Sequence, residues 1–124
     1  ILKMYKIIIV EDEPLIALDM AHIVAEKTGA HVVIASSVHA AAIHLDGASF
    51  VFLDMNVVDG KTYDFARLLI ERGIPFTFAS GSRRSDLPCD LLSVSFMVKP
   101  LTDADIDRAL TNRLADTAPR PEHA

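Results

Sequence analysis

The side chains best suited to chemistry in this 124-residue chain stand directly after short apolar runs. Glu11-Asp12 follows KIIIV, Asp54 follows FVFL, Ser80 follows FTFA, and Lys99-Pro100 follows FMV. If those runs are parallel strands, their carboxyl ends share one edge of a sheet, and the polar groups gather there. Three carboxylates brought together repel by about 4 kcal/mol per pair at 4 Å and an effective dielectric near 20. They must either retain protons or surround a cation. With no histidine or thiol beside them, an all-oxygen ligand set favours a hard ion, Mg²⁺ above others. Lys99 supplies a point charge for a phosphoryl oxygen. A carboxylate nucleophile, a divalent ion and a lysine together make a phosphoryl-transfer site that forms an acyl phosphate. Each residue also has an ordinary use: Asp54 and Ser80 as strand-end turn residues, Glu11-Asp12 as a helix cap, Lys99 as a surface lysine.

The elements that must position these groups can be read from the apolar pattern. Strands are predicted over Lys6–Val10, His31–Ala35, Phe50–Leu53, Phe76–Ala79 and Phe96–Val98. The first and third are apolar on nearly every residue, as interior parallel strands covered on both faces should be. Between the strands, Pro14–Lys27 carries Ile16, Met20, Ile23 and Val24 on one helical face, with Gly29 as its stop. Further helices are predicted over Val38–Leu45, Lys61–Arg72 and Asp103–Leu114. The last has Thr102 as its N-cap and Asp105 in its first turn. Pro88 interrupts Ser82–Ser93, so a short or irregular helix is expected there. Five βα units imply a flavodoxin-like three-layer α/β sandwich, a five-stranded parallel sheet of order 2-1-3-4-5 with helices on both faces. The crevice of such a sheet lies beyond the carboxyl ends of strands 1 and 3.

Bulk properties narrow the possibilities. The length suits one domain with a real core, expected over residues 4–115, and the Pro- and Ala-rich residues 116–124 read as a flexible tail or linker stub. Ile1–Lys3 precede a plausible initiator, Met4. No uncharged apolar run nears the roughly 18 residues of a membrane span, and EDE cuts short the N-terminal apolar stretch, so a cytoplasmic protein is expected. The single cysteine, Cys89, excludes an internal disulfide, and a net charge of −5 argues against nucleic-acid binding by this domain. His22, His31, His39, His44 and His123 show no ligand spacing.

Taken in order, IIIVEDEP, VFLDMN, FTFASG and MVKP resemble the receiver domain of two-component response regulators, over Lys6 to Leu114. Each motif is weak alone; the ordered set is specific. The resemblance implies that Asp54 is the phosphoacceptor and that Asp12, Asp54 and the Asn56 main-chain carbonyl bind Mg²⁺, with Glu11 reaching it mostly through water. It further implies that Lys99 contacts the phosphoryl group, that the Lys99-Pro100 bond is cis, and that Ser80 swings to the phosphoryl group while Gly81 leaves room for a donor. Phe96 stands at the switch-aromatic position. The implied partner is a sensor histidine kinase or a histidine phosphotransfer protein.

Two departures stand out. Val57-Val58 replaces the usual Met-Pro or Leu-Pro after the acceptor, and the loop glycine comes early, at Gly60. GIPFTFASGSRR, followed by Leu87-Pro88, is similar to a receiver subgroup known mainly from alphaproteobacteria, often as single domains. There the strand-4 motif is Phe-Ala-Thr-Gly, a variable residue, then Tyr; here Ser80 replaces the threonine and Arg83 the tyrosine. Two other functions fit less well. A haloacid-dehalogenase-type phosphatase would need an aspartate where Asn56 stands, and a receiver-like module working without phosphorylation would not need to bind Mg²⁺.

Overall fold

A computed structural model of the chain describes residues 6–116, with side chains through Thr111. Five strands, β1 (Lys6–Val10), β2 (His31–Ala35), β3 (Phe50–Leu53), β6 (Phe76–Ser80) and β7 (Phe96–Val98), form one parallel sheet of order β2-β1-β3-β6-β7. Counting only these five, the order is 2-1-3-4-5, as the βα pattern predicts. The remaining two strands, β4 (Asn56–Val57) and β5 (Gly60–Lys61), pair with each other in a small antiparallel hairpin after β3.

Alternate side chains of each strand feed opposite faces. Ile8, Val10, Val51, Leu53 and Phe78 pack with Ala41, Leu45, Phe65 and Leu69 beneath α2 (Val38–Ala42) and α3 (Tyr63–Arg72). Ile7, Ile9, Phe50, Phe52 and Ala79 pack with Met20, Val24, Ile106 and Leu110 of α1 (Pro14–Thr28) and α4 (Asp103–Asp116). These two cores make the three layers. Strand β1 is almost wholly excluded from solvent, Ile7 to Ile9 at 0 % exposure, because helices cover it on both sides. Helices α1 and α3 stop at Gly29, as expected, and at Gly73, each glycine in the left-handed conformation that a side chain resists. Helix α4 opens with a reciprocal cap: the Asp105 amide donates to Thr102 Oγ1 and the Thr102 amide donates to Asp105 Oδ2.

Five boundaries differ from the predicted ones, and two of them, the ends of α1 at Thr28 and of β6 at Ser80, lie one residue further on than expected. Helix α2 ends at Ala42 rather than Leu45, because the His44 and Leu45 amides already bond three residues back, to Ala41 and Ala42, ahead of the turn at Gly47. Helix α3 starts at Tyr63 rather than Lys61, because Lys61 is held extended opposite Asn56. Helix α4 runs to Asp116, two residues past Leu114. The irregular segment is two 3₁₀ turns, Arg84–Asp86 and Cys89–Leu91, separated by extended Leu87 and Pro88. Apart from Asp116, the expected tail, like Ile1–Lys3 and Met4, lies outside the described residues.

Candidate functional site

The carboxyl edge of the sheet is built by main-chain ladders that run one residue past the strands. The Glu11 amide donates to the Ala35 carbonyl, the Asp54 amide to the Val10 carbonyl, and the Lys99 amide to the Ser80 carbonyl. Each bond sets the height at which the next side chain leaves the sheet. As a result Glu11, Asp12 and Asp54 each present a carboxylate oxygen within 4.8 Å of the others. Lys99 reaches in from β7 and donates to Glu11 Oε1 and, at 2.8 Å, to Asp54 Oδ2. Residues 88 apart in sequence thus meet through one ammonium.

These charges are poorly hydrated. The side chains of Glu11, Asp54 and Lys99 are 2 %, 12 % and 12 % exposed, whereas Asp12 is half-buried. Burial pushes the Glu11 carboxyl up and outweighs its hydrogen bonds from Lys99 and from the Glu13 amide. Burial alone would pull the Lys99 ammonium down, but its hydrogen bonds to Asp54 and Glu11, with their charges, hold it above its ordinary value. The Glu13 amide, at the N-cap of α1, donates to Glu11 Oε2 at 3.0 Å. Glu11 therefore serves the start of the helix as well as the acidic cluster.

The remaining predicted residues differ in how near they come to this centre. Asn56 opens β4, two residues beyond Asp54, with its side chain exposed. Ser80 closes β6 and is 2 % exposed; its hydroxyl accepts the Ser82 amide at 3.1 Å. A side chain added at Gly81 would meet nothing within 4 Å, so the space beside Ser80 is open. The Lys99-Pro100 bond is cis. Phe96 lies at the far end of β7 from Lys99, half-buried, with its ring 6.2 Å from that of Phe78. Arg83 is exposed.

Four contributors are not evident from residue type. Thr62, at 0 % exposure, donates its hydroxyl to the Asp54 carbonyl at 2.6 Å. Asp59, in the hairpin turn, accepts the Val38 and His39 amides at 2.9 and 3.1 Å and ties that turn to the start of α2. The Asp59-Gly60 pair is a hairpin signal that could have found the turn. Arg84 donates to the Leu92 and Val94 carbonyls at 2.7 and 2.5 Å, with its guanidinium carbon 5.7 Å from the centre of the Phe96 ring. Arg67 of α3 forks onto Asp90 at 2.8 and 3.0 Å. Two arginines therefore hold a segment that has no long helix of its own.

The fold has parallels among solved structures. SdrG from Sphingomonas melonis Fr1 superposes with a TM-score of 0.76 over 92 % of this chain and 99 % of its own, at 29 % identity. This chain has the fold of a response-regulator receiver domain. The receiver domain of PhyR from Erythrobacter litoralis matches with a TM-score of 0.79 at 20 % identity, covering 96 % of this chain and 97 % of that one. A CheY-like receiver domain from Methylobacillus flagellatus matches with a TM-score of 0.72 at 21 % identity, covering 90 % and 99 %. No family model matches the chain, and a search of curated proteins returns no match. Among the described residues of this receiver fold, no helix is long and apolar enough to cross a membrane.

The donor set fits a magnesium ion. Three carboxylates, with no histidine or thiol in the group, offer hard oxygen atoms close enough to share one small cation. Lys99 holds two of the same carboxylates, so an arriving ion and the ammonium compete for them.

Proposed function

We propose that this chain is a phosphoacceptor receiver domain of two-component signalling, phosphorylated on Asp54 by a histidine kinase or a histidine phosphotransfer protein. The observation that carries the reading is the convergence of three carboxylates and one ammonium at the carboxyl edge of β1, β3 and β7. Asp12, Asp54 and the Asn56 main-chain carbonyl would hold Mg²⁺, with Glu11 acting through water. When bound, the ion supplies positive charge and an open coordination position for a phosphoryl oxygen.

An Asp54 carboxylate oxygen attacks the phosphorus of the donor phosphohistidine in line. The P–N bond breaks, its electron pair returns to the imidazole nitrogen, and an acyl phosphate remains on Asp54. Lys99, already bonded to Asp54, transfers one of its hydrogen bonds to a phosphoryl oxygen as charge gathers there. Ser80 gives up the Ser82 amide and turns its hydroxyl to the phosphoryl group. The open space beside Gly81 admits the donor. Because the Ser82 amide then loses its partner, the Ser82–Ser93 segment shifts between two conformations, and Phe96 beside it changes its packing. Partner affinity follows that shift.

The test is incubation with phosphoramidate and magnesium chloride, followed by intact mass measurement. The wild type gains the mass of one phosphoryl group and loses it in hydroxylamine, and Asp54→Asn gains nothing. An Asp54→Asn chain that still gains that mass refutes the acceptor assignment.

A further inference from the structure

We infer that Thr62 is the positioning residue of the acceptor loop, a role that rests on the phosphoacceptor reading above. Thr62 stands at the N-cap of α3, where a threonine hydroxyl ordinarily accepts an amide of the first helical turn. Here it makes no such cap. Its hydroxyl is turned back eight residues and donates to the Asp54 carbonyl, while its amide donates to the adjacent Met55 carbonyl at 3.0 Å. The side chain does this from complete burial. A helix start has given up its own cap, and the hydroxyl serves the residue that carries the reacting carboxylate.

These two bonds close the base of a loop that contains both the Asp54 carboxylate and the Asn56 carbonyl. The hairpin of β4 and β5 fills the loop, and Asp59 fastens its tip to α2. The base clamp and the tip clamp are physically separate. Of the two, the base clamp is the one that bears on the main chain from which the Asp54 side chain departs, on the carbonyl side of a residue whose amide is already held by Val10. A loop held in shape before phosphate or ion arrives spends no binding energy on ordering itself.

The full chain is titrated with beryllofluoride in saturating magnesium chloride, with amide shifts followed by NMR and stability measured in parallel by urea unfolding. Thr62→Val and Thr62→Ala remove the hydroxyl, and Thr62→Ser retains it. Asp59→Ala loosens the tip and serves as a control for general destabilisation. Each hydroxyl-free variant that folds is expected to need about tenfold more beryllofluoride for half-saturation, equivalent to about 1.4 kcal/mol. Thr62→Ser and Asp59→Ala are expected to stay near the wild type. A Thr62→Val or Thr62→Ala chain that saturates with the wild type overturns the role of Thr62. So does a Thr62→Ser chain that binds as weakly as the hydroxyl-free ones, or an Asp59→Ala chain that loses as much at equal stability. A wild type that ignores beryllofluoride sinks the acceptor reading itself, and the role of Thr62 with it.

Discussion

Replacing Lys99 with methionine separates the two duties of its ammonium. In the metal-free protein Lys99 is the cation bonded to both Glu11 and Asp54, and the three side chains are at most 12 % exposed. Without it, carboxylates within 4.8 Å of one another face no compensating charge. Coulomb's law gives each such pair a repulsion of about 3.5 kcal/mol at an effective dielectric near 20. The protein can escape by protonating Glu11. Starting from an ordinary value of 4.5, that costs about 3.4 kcal/mol at pH 7, at 1.36 kcal/mol per pH unit. Both routes converge on a loss of about 3 kcal/mol, within the range seen when one partner of a buried ion pair is removed. Burial already favours the protonated Glu11, which trims the figure. The chain has no tryptophan, so urea unfolding is best followed by circular dichroism. In chelator, Lys99→Met should be less stable than the wild type by about 3 kcal/mol. Magnesium chloride should restore more stability to the variant than it adds to the wild type, because the ion no longer competes with an ammonium. A variant within about 1 kcal/mol of the wild type in chelator, or equal magnesium stabilisation of both chains, would refute this account of the site.

Other consequences can be checked with the same tools. Glu11 has its carboxyl raised in the folded state, so ionised Glu11 costs stability, and that cost grows as pH rises above 4.5 toward the folded value. In chelator, Glu11→Gln should therefore gain on the wild type as pH rises through that window; a pH-independent difference in urea midpoint would count against the burial argument. Lys99 is raised as well, so its contribution is fully present below its ordinary value of 10.5 and is lost as pH climbs through the folded value. Unfolding midpoints should consequently fall in strongly alkaline buffer for the wild type and not for Lys99→Met. Arg84→Ala frees the Leu92 and Val94 carbonyls and uncovers Phe96. Amide exchange should quicken across residues 82–95 and stay unchanged in β1 and β3; uniform protection in the variant would show that Arg84 holds nothing in place.

Much of this arrangement is legible from the sequence because the strongest physical signals are local. Ile7–Val10 and Phe50–Leu53 are apolar without alternation, which suits only strands covered on both faces. Once those strands are placed, Glu11, Asp12, Asp54 and Lys99 fall at one edge by chain geometry alone. The hairpin at Asn56–Lys61 is harder to see, since strands of two residues have no periodicity to detect. Thr62 and Arg84 are harder still. Both act on main-chain carbonyls, which every residue possesses, so the identity of the acceptor leaves no mark in the sequence. Thr62 falls inside the helix predicted from Lys61, and the Ser-Arg-Arg-Ser stretch reads as a solvated loop. Glu11 satisfies two readings at once, helix start and acidic cluster, because its two carboxylate oxygens go to different donors.

The bond from Lys99 to Glu11 ties nearly the first residues of the sheet to nearly the last. Between them the chain crosses the sheet through β3 and β6 before β7 can deliver the ammonium. A nascent or partly unravelled polypeptide therefore holds the acids without the amine, or the amine without the acids. An intact bond between Lys99 and Glu11 therefore reports that both strands, and the sheet between them, are in place.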